Sequence, residues 1–115
     1  MGQGGGLAGR IERGEIRLFR FEPPDKERPV LVLTRSSAIP YLSRVTIAPI
    51  TSTIRGVPSE VVLGVEDGMK QPCVANLHNV ITVSREALGK RLTQLNGRRM
   101  REVCAAIGFA LGCDG

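Results

Sequence analysis

The chain is cut into short apolar runs by turn residues, and that spacing leaves few architectures open. RPVLVLTR (28–35) is the sharpest case: Pro29 has no N–H for a central ladder position, so it opens a strand and cannot sit inside one. EIRLFRF (15–21) precedes it across the turn signal Pro23-Pro24-Asp25. RVTIAPI (44–50) and SEVVLG (59–64) read as two further strands joined by TSTIRGVP. CVANLHNVITV (73–83) reads as one long strand or a bent pair. SREALGK (84–90) reads as a single helical turn with Ser84 as N-cap, and KRLTQL (90–95) as a last short strand.

Only the C-terminal segment carries a sustained helical period. Met100, Val103, Cys104, Ile107 and Leu111 recur at helical spacing, with Asn96 placed to cap the start and Gly112 to mark the stop. That stripe is expected to face a core, leaving Arg98, Arg99, Arg101 and Glu102 in water. Closely spaced strands followed by one helix predict a mainly β, α+β chain: a small β-barrel with a C-terminal helix packed on it. Strands and helices do not alternate, which argues against a parallel nucleotide-binding sheet.

At 115 residues the chain has room for one domain with a modest core. Residues 1–12 are glycine-rich without a hydrophobic period and are expected to form a flexible leader, with a single domain over 13–113. The leader glycines follow no strand and precede no Gly-Lys-Ser/Thr, which argues against a phosphate-binding loop. No run approaches the roughly 18 apolar residues of a membrane span. The N-terminus lacks the apolar core of a secretory signal, so a cytoplasmic protein is expected.

The net charge of +5 is uneven: residues 1–55 hold nine basic and five acidic residues, whereas 56–115 hold seven and six. A basic N-terminal half points to a polyanionic ligand or an acidic partner, with simple solubility as the plainer alternative. Cys73, Cys104 and Cys113 show no metal-ligand spacing and there is one histidine, so no metal and no cofactor are expected. Cys73 and Cys104 are expected to be small buried hydrophobes, and Cys113 a free thiol near the terminus.

Motifs for serine hydrolases, zinc proteases and nucleotide loops are missing. Asp25, Glu27, Glu60, Glu66 and Asp67 lie beside turns and form no recognisable metal cluster. What remains is a polar set at strand ends: Arg28, Thr51, Ser52, Thr53, Arg55, Asn76, His78 and Asn79. On the residues alone this describes a basic barrel that binds nucleic acid. Arg28 is also readable as a solvated loop cation and Thr51 as a turn-capping hydroxyl.

RGEIRLFRF, RPVLVLTR, VTIAPITSTIRGVPSEVVL and CVANLHNVITV, in that order, resemble the MazF/PemK family of type II toxin–antitoxin toxins, and the likeness extends through the C-terminal helix. The resemblance implies an SH3-like barrel of the CcdB/Kid/MazF type, a homodimer, and sequence-specific, metal-independent cleavage of single-stranded RNA. It assigns the principal catalytic roles to Arg28 and Thr51. The family's acidic position falls on His78, which is readable as general base or acid, or as a structural histidine bonded to a strand end. Two family arginines fall on Asn76 and Ile81, and the segment before Arg28 is shorter than in many relatives.

This chemistry suits the residue types. RNA attacks its own phosphate through the 2′-OH, leaving a 2′,3′-cyclic phosphate, so the protein supplies donors and proton transfer. Arg28 offers a permanent forked charge and Thr51 a hydroxyl donor. RNA contacts are expected from Arg17, Arg20, Arg35, Ser52, Thr53, Arg55, Asn76 and Asn79, with Arg44 as a further phosphate contact. With few aromatics and no tryptophan, grip should come from phosphate contacts more than base stacking. An acidic antitoxin is the implied partner, and DNA would be met only indirectly through an antitoxin complex. The alternatives are a non-catalytic nucleic-acid-binding barrel and a gyrase poison of the same fold. The gyrase-poisoning relative relies on a C-terminal tryptophan, and this chain has none.

Overall fold

A computed structural model describes residues 10–22 and 26–113. The Pro23-Pro24-Asp25 turn and residues 1–9 of the expected leader lie outside the described residues. The strands are β1 (Glu15–Arg20), β2 (Glu27–Val32), β3 (Arg44–Thr51), β4 (Glu60–Leu63), β5 (Cys73–Asn76), β6 (Ile81–Ser84) and β7 (Leu88–Gln94); α1 (Gly97–Leu111) closes the chain. All pairings are antiparallel, in the order β4-β5-β3-β2-β1-β7, and β6 lies alongside β5 on the same edge of β3. CVANLHNVITV is therefore the bent pair, its two arms pairing with the two ends of β3. Among the described residues β4 and β7 are the ends of the sheet, so it is bent and open, and barrel describes it only loosely.

β2 and β3 read as nearly continuous apolar runs because both faces of the sheet are buried. Leu31, Ala48 and Ile50 enter one core with Ile16, Leu63 and the helix residues Met100, Val103 and Ala106. Val30, Val32, Val45 and Ile47 point the other way, into a core completed by Ile39, Val83 and Leu88. Ile11, which the sequence places in the leader, is buried in this second core, so packing reaches back to it. Phe19 and Phe21 stack edge-to-face against the same core, 4.8 Å between centroids, which takes them out of consideration as base-stacking rings.

α1 follows its sequence signals. The Asn96 side chain accepts the Arg99 N–H at 2.8 Å, and Gly112 adopts a left-handed cap with φ 75°. The buried face is centred between Val103 and Ile107, which puts Ala106 inside and Cys104 on the exposed flank, where its sulfur accepts from Arg13 at 2.9 Å. The expectation of a buried Cys104 is therefore corrected, as is that of an inward Leu111, which is exposed in the last turn. Ser84 sets the extended entry to the 3₁₀ turn Arg85–Ala87 but makes no side-chain cap.

Arg99 is the larger correction: it does not stay in water. Its Nε and one terminal nitrogen grip both oxygens of the buried Asp67 carboxylate at 2.8 and 3.0 Å, while Glu66 and Glu102 take further bonds. Asp67 caps the 3₁₀ turn Val65–Asp67 by accepting the Gly64 N–H at 3.0 Å, so the ion pair pins that turn to α1. Burial alone would raise the Asp67 carboxyl, but the Arg99 and Gly64 hydrogen bonds outweigh it and hold it below its ordinary value. A depressed folded-state pKa stabilises fully above the unfolded value, near 4, and the stabilisation fades as pH falls through the folded value. Melting temperature measured from pH 6 to pH 2 is expected to fall steeply at the acid end. Asp67→Asn should start lower at pH 6 and decline less; an unchanged acid limb would remove Asp67 from the account.

Candidate functional site

The site is assembled where β2 begins and β3 ends. The β2–β3 ladder runs Val32↔Ile47, Leu31↔Ala48 and Val30↔Pro49. Continued two residues along each strand, the same register sets Arg28 across from Thr51, and strand alternation sends both side chains to the same side. Both line a groove of about 1010 Å³. Arg28 is exposed and Thr51 half-buried, its Oγ1 accepting the Thr53 N–H at 3.2 Å. Pro29 corrects the expectation that it opens its strand: β2 starts two residues earlier, at Glu27, and Pro29 sits in the ladder opposite Leu18 on β1. The ladder with β3 starts only at Val30, so Pro29 is paired on one side and its missing N–H leaves no gap in a central ladder.

The opposite wall is the segment 68–71, directly after the Asp67 turn. Gly68 has φ +89°, and a Cβ there would lie 2.4 Å from Thr93 Oγ1, so glycine alone lets this segment close on β7. Met69 packs on the main core, while Lys70 and Gln71 face the groove. Among the described residues, Lys26, Arg28 and Lys70 line this one groove without a carboxylate in salt-bridge range. Against the one carboxylate that lines the same cleft, Glu27, three cations leave it net positive among the described residues and attractive to a polyanion. Cys73 forms part of the wall; burial, reinforced by the Asp67 carboxylate, pushes its thiol pKa up, so it is a protonated, inert group at neutral pH.

The structure brings together Arg28, Thr51 and Ser52, and leaves other expected residues apart. Arg17 is corrected outright: it is 4 % exposed, its Nε bonded to the buried Glu15 at 2.8 Å and its terminal nitrogens to the Gly89 and Arg10 carbonyls at 2.9 and 3.1 Å. It ties β1 to β7 and offers nothing to RNA. Arg20 is exposed at the end of β1, across from Glu27, on the groove side of the sheet. Arg35 lies past the far end of β2, and Arg44 donates to the Thr82 carbonyl at 2.9 Å. Thr53 and Arg55 continue the exposed loop after β3, where Glu60 holds the Arg55 and Gly56 N–H groups at 3.1 and 2.9 Å.

Asn76, His78 and Asn79 form the β5–β6 corner, and none of them lines the groove. His78 Nδ1 is hydrogen-bonded to the hydroxyl of buried Ser59, and its N–H donates to Asn76 Oδ1 at 3.2 Å. The Ser59 carbonyl also takes the Leu77 N–H at 2.9 Å, so the corner is clasped to the loop before β4. Of the readings open for His78, this geometry fits the structural one. His78→Ala is expected to cost about 1–2 kcal/mol in urea unfolding by orphaning Ser59. Lys26, Lys70 and Gln71 escape sequence reasoning because nothing local says that segment 68–71 folds back toward the start of β2.

An open antiparallel sheet packed by one C-terminal helix defines a small, mainly β protein with a cationic groove at the ends of its central strands. The chain belongs to the PemK-like, MazF-like toxins of type II toxin–antitoxin systems, whose family model matches residues 12–111. Endoribonuclease MazF3 of Mycobacterium tuberculosis is 40% identical over 99 residues, covering 86% of this chain and 96% of that protein. Probable endoribonuclease MazF5 of the same species is 46% identical over 88 residues, covering 76% and 81%. Among solved structures, the Mycobacterium tuberculosis toxin MazF-mt6 superposes with a TM-score of 0.80 at 37% identity, covering 88% of this chain and 99% of that one.

Proposed function

We propose that this toxin is a metal-independent endoribonuclease that cuts single-stranded RNA by internal 2′-OH attack, acting on mRNA in the cytoplasm to stop translation and growth. The observation that carries this is that Arg28 and Thr51, which the β2–β3 register sets across from each other when extended past its last pair, line one groove with Lys26 and Lys70. A phosphate seated there meets the Arg28 fork on its non-bridging oxygens and the Thr51 hydroxyl beside it. As the pentacoordinate phosphorane gains charge, the fixed guanidinium stabilises it more than the ground state. Lys26, Lys70 and Arg20 hold the flanking phosphates, and Ser52 adds a donor next to Thr51.

The same charge gives a cognate antitoxin its handle: an acidic, extended segment laid in the groove would occupy the phosphate positions and exclude RNA. DNA is reached only through that complex. A homodimer is the proposed assembly. Exposed Val62 on end strand β4 and Phe109 on α1 border one hollow of about 440 Å³, an apolar floor rimmed by Glu60, Arg99 and Glu102 that suits a second copy.

The test is incubation of purified protein with end-labelled single-stranded RNA of varied sequence in EDTA. Discrete cuts bearing 2′,3′-cyclic phosphate ends are expected. RNA that is bound but left intact would identify a non-catalytic RNA-binding protein and overturn the proposal.

A further inference from the structure

A transesterification through the 2′-OH needs an acceptor for that proton, and His78 stands outside the groove. The groove's own residues narrow the choice. Lys26, Arg28 and Lys70 are cations at neutral pH and accept nothing. The Thr51 and Ser52 hydroxyls are far too weak as bases, and the Gln71 amide does not titrate. Cys73 is held protonated by its burial. Glu27 is the one carboxylate among the described residues lining the groove, it is exposed, and it enters no ion pair there.

On the nuclease reading above, on which this rests, we propose that Glu27 is the general base of the reaction. Glu27 and Arg28 are consecutive at the start of β2, so their side chains leave the strand on opposite sides. An RNA backbone crossing that strand end meets the guanidinium at its phosphate and the carboxylate at the adjoining ribose. The 2′-OH proton passes to the Glu27 carboxylate as the 2′-oxygen forms its bond to phosphorus. The bond from phosphorus to the 5′-oxygen breaks, that oxygen takes a proton from solvent, and Glu27 returns its own to solvent. Among the described residues that share its register or line the groove, the charged groups beside Glu27 are Lys26 and Arg28 on its own segment, Arg20 across the β1 register and Lys70 on the facing wall.

The experiment compares wild type, Glu27→Gln and Glu27→Asp on a cleaved RNA across pH, together with binding of the all-deoxy oligonucleotide of the same sequence. Glu27→Gln is expected to lower kcat by about 10²–10⁴-fold and to flatten the acid limb of the pH–rate profile. Its binding of the deoxy oligonucleotide should stay within about threefold of wild type, or tighten, because a negative charge leaves a cationic groove. Glu27→Asp should keep the acid limb at a reduced rate. Glu27→Gln that cuts like wild type, or that keeps the acid limb, overturns the assignment while leaving the nuclease reading intact. Wild-type protein that leaves every RNA whole overturns both.

Discussion

Arg28→Ala is expected to cut RNA about 10²–10³-fold more slowly than wild type while folding normally. The size follows from the role proposed for the guanidinium, a fixed charge beside a phosphorane whose contribution grows as the transition state forms. The folding part follows from its position. Arg28 is exposed at a strand end, makes no hydrogen bond or ion pair among the described residues, and buries nothing that the cores need. Removing it should leave the urea midpoint unchanged. Loss should appear mainly in kcat, since Lys26, Lys70 and Arg20 still hold the flanking phosphates. Arg28→Lys should recover only part, because an ammonium keeps the charge but not the fork. Cleavage by Arg28→Ala at the wild-type rate would return this residue to a solvated loop cation.

The largest effect on stability is expected from Arg17→Ala, at about 3–5 kcal/mol. Both members of the Arg17–Glu15 pair are almost fully buried, at 4 % and 3 % side-chain exposure. Deleting the guanidinium strands the Glu15 carboxylate with the Glu12 N–H at 3.0 Å and a longer approach from Arg91 at 3.7 Å. It also frees the Gly89 and Arg10 carbonyls, and with them the tie between β1 and β7. Urea unfolding should show the midpoint collapse, and Glu15→Gln added to Arg17→Ala should recover part of it by removing the stranded charge. The alternative reading of Arg17 as an RNA contact makes the opposite forecast: normal unfolding with weakened, less salt-dependent RNA binding.

Arg17 and Arg28 mark how far the sequence is informative. Strands, the C-terminal helix and its two caps are legible because alternation, Asn96 and Gly112 act locally, whereas Pro29 misplaces the start of its strand by two residues. The resemblance then selects Arg28 and Thr51, and the β2–β3 register gives the physical reason they belong together. Arginines do not announce their burial: Arg17 alternates with apolar residues as a solvent-facing strand residue would, and Arg99 falls off the apolar stripe of α1. Both are drawn in by carboxylates that the fold supplies, Arg17 fully buried against Glu15 and Arg99 largely covered against Asp67 from a distant turn. The far wall of the groove is illegible for the same reason, because Gly68 must close on Thr93 of β7 before Lys70 can line it. His78 is legible only as a choice between two roles, and its bond to the hydroxyl of Ser59, 19 residues earlier, is a contact no local signal gives.

The central claim is that the protein supplies charge and proton transfer while RNA supplies the nucleophile. It is tested most directly by a single 2′-deoxy substitution at the nucleotide 5′ to a mapped cut. The account predicts that this one atom's removal abolishes cleavage at that site and leaves binding unchanged. Undiminished cutting of the substituted strand would contradict it.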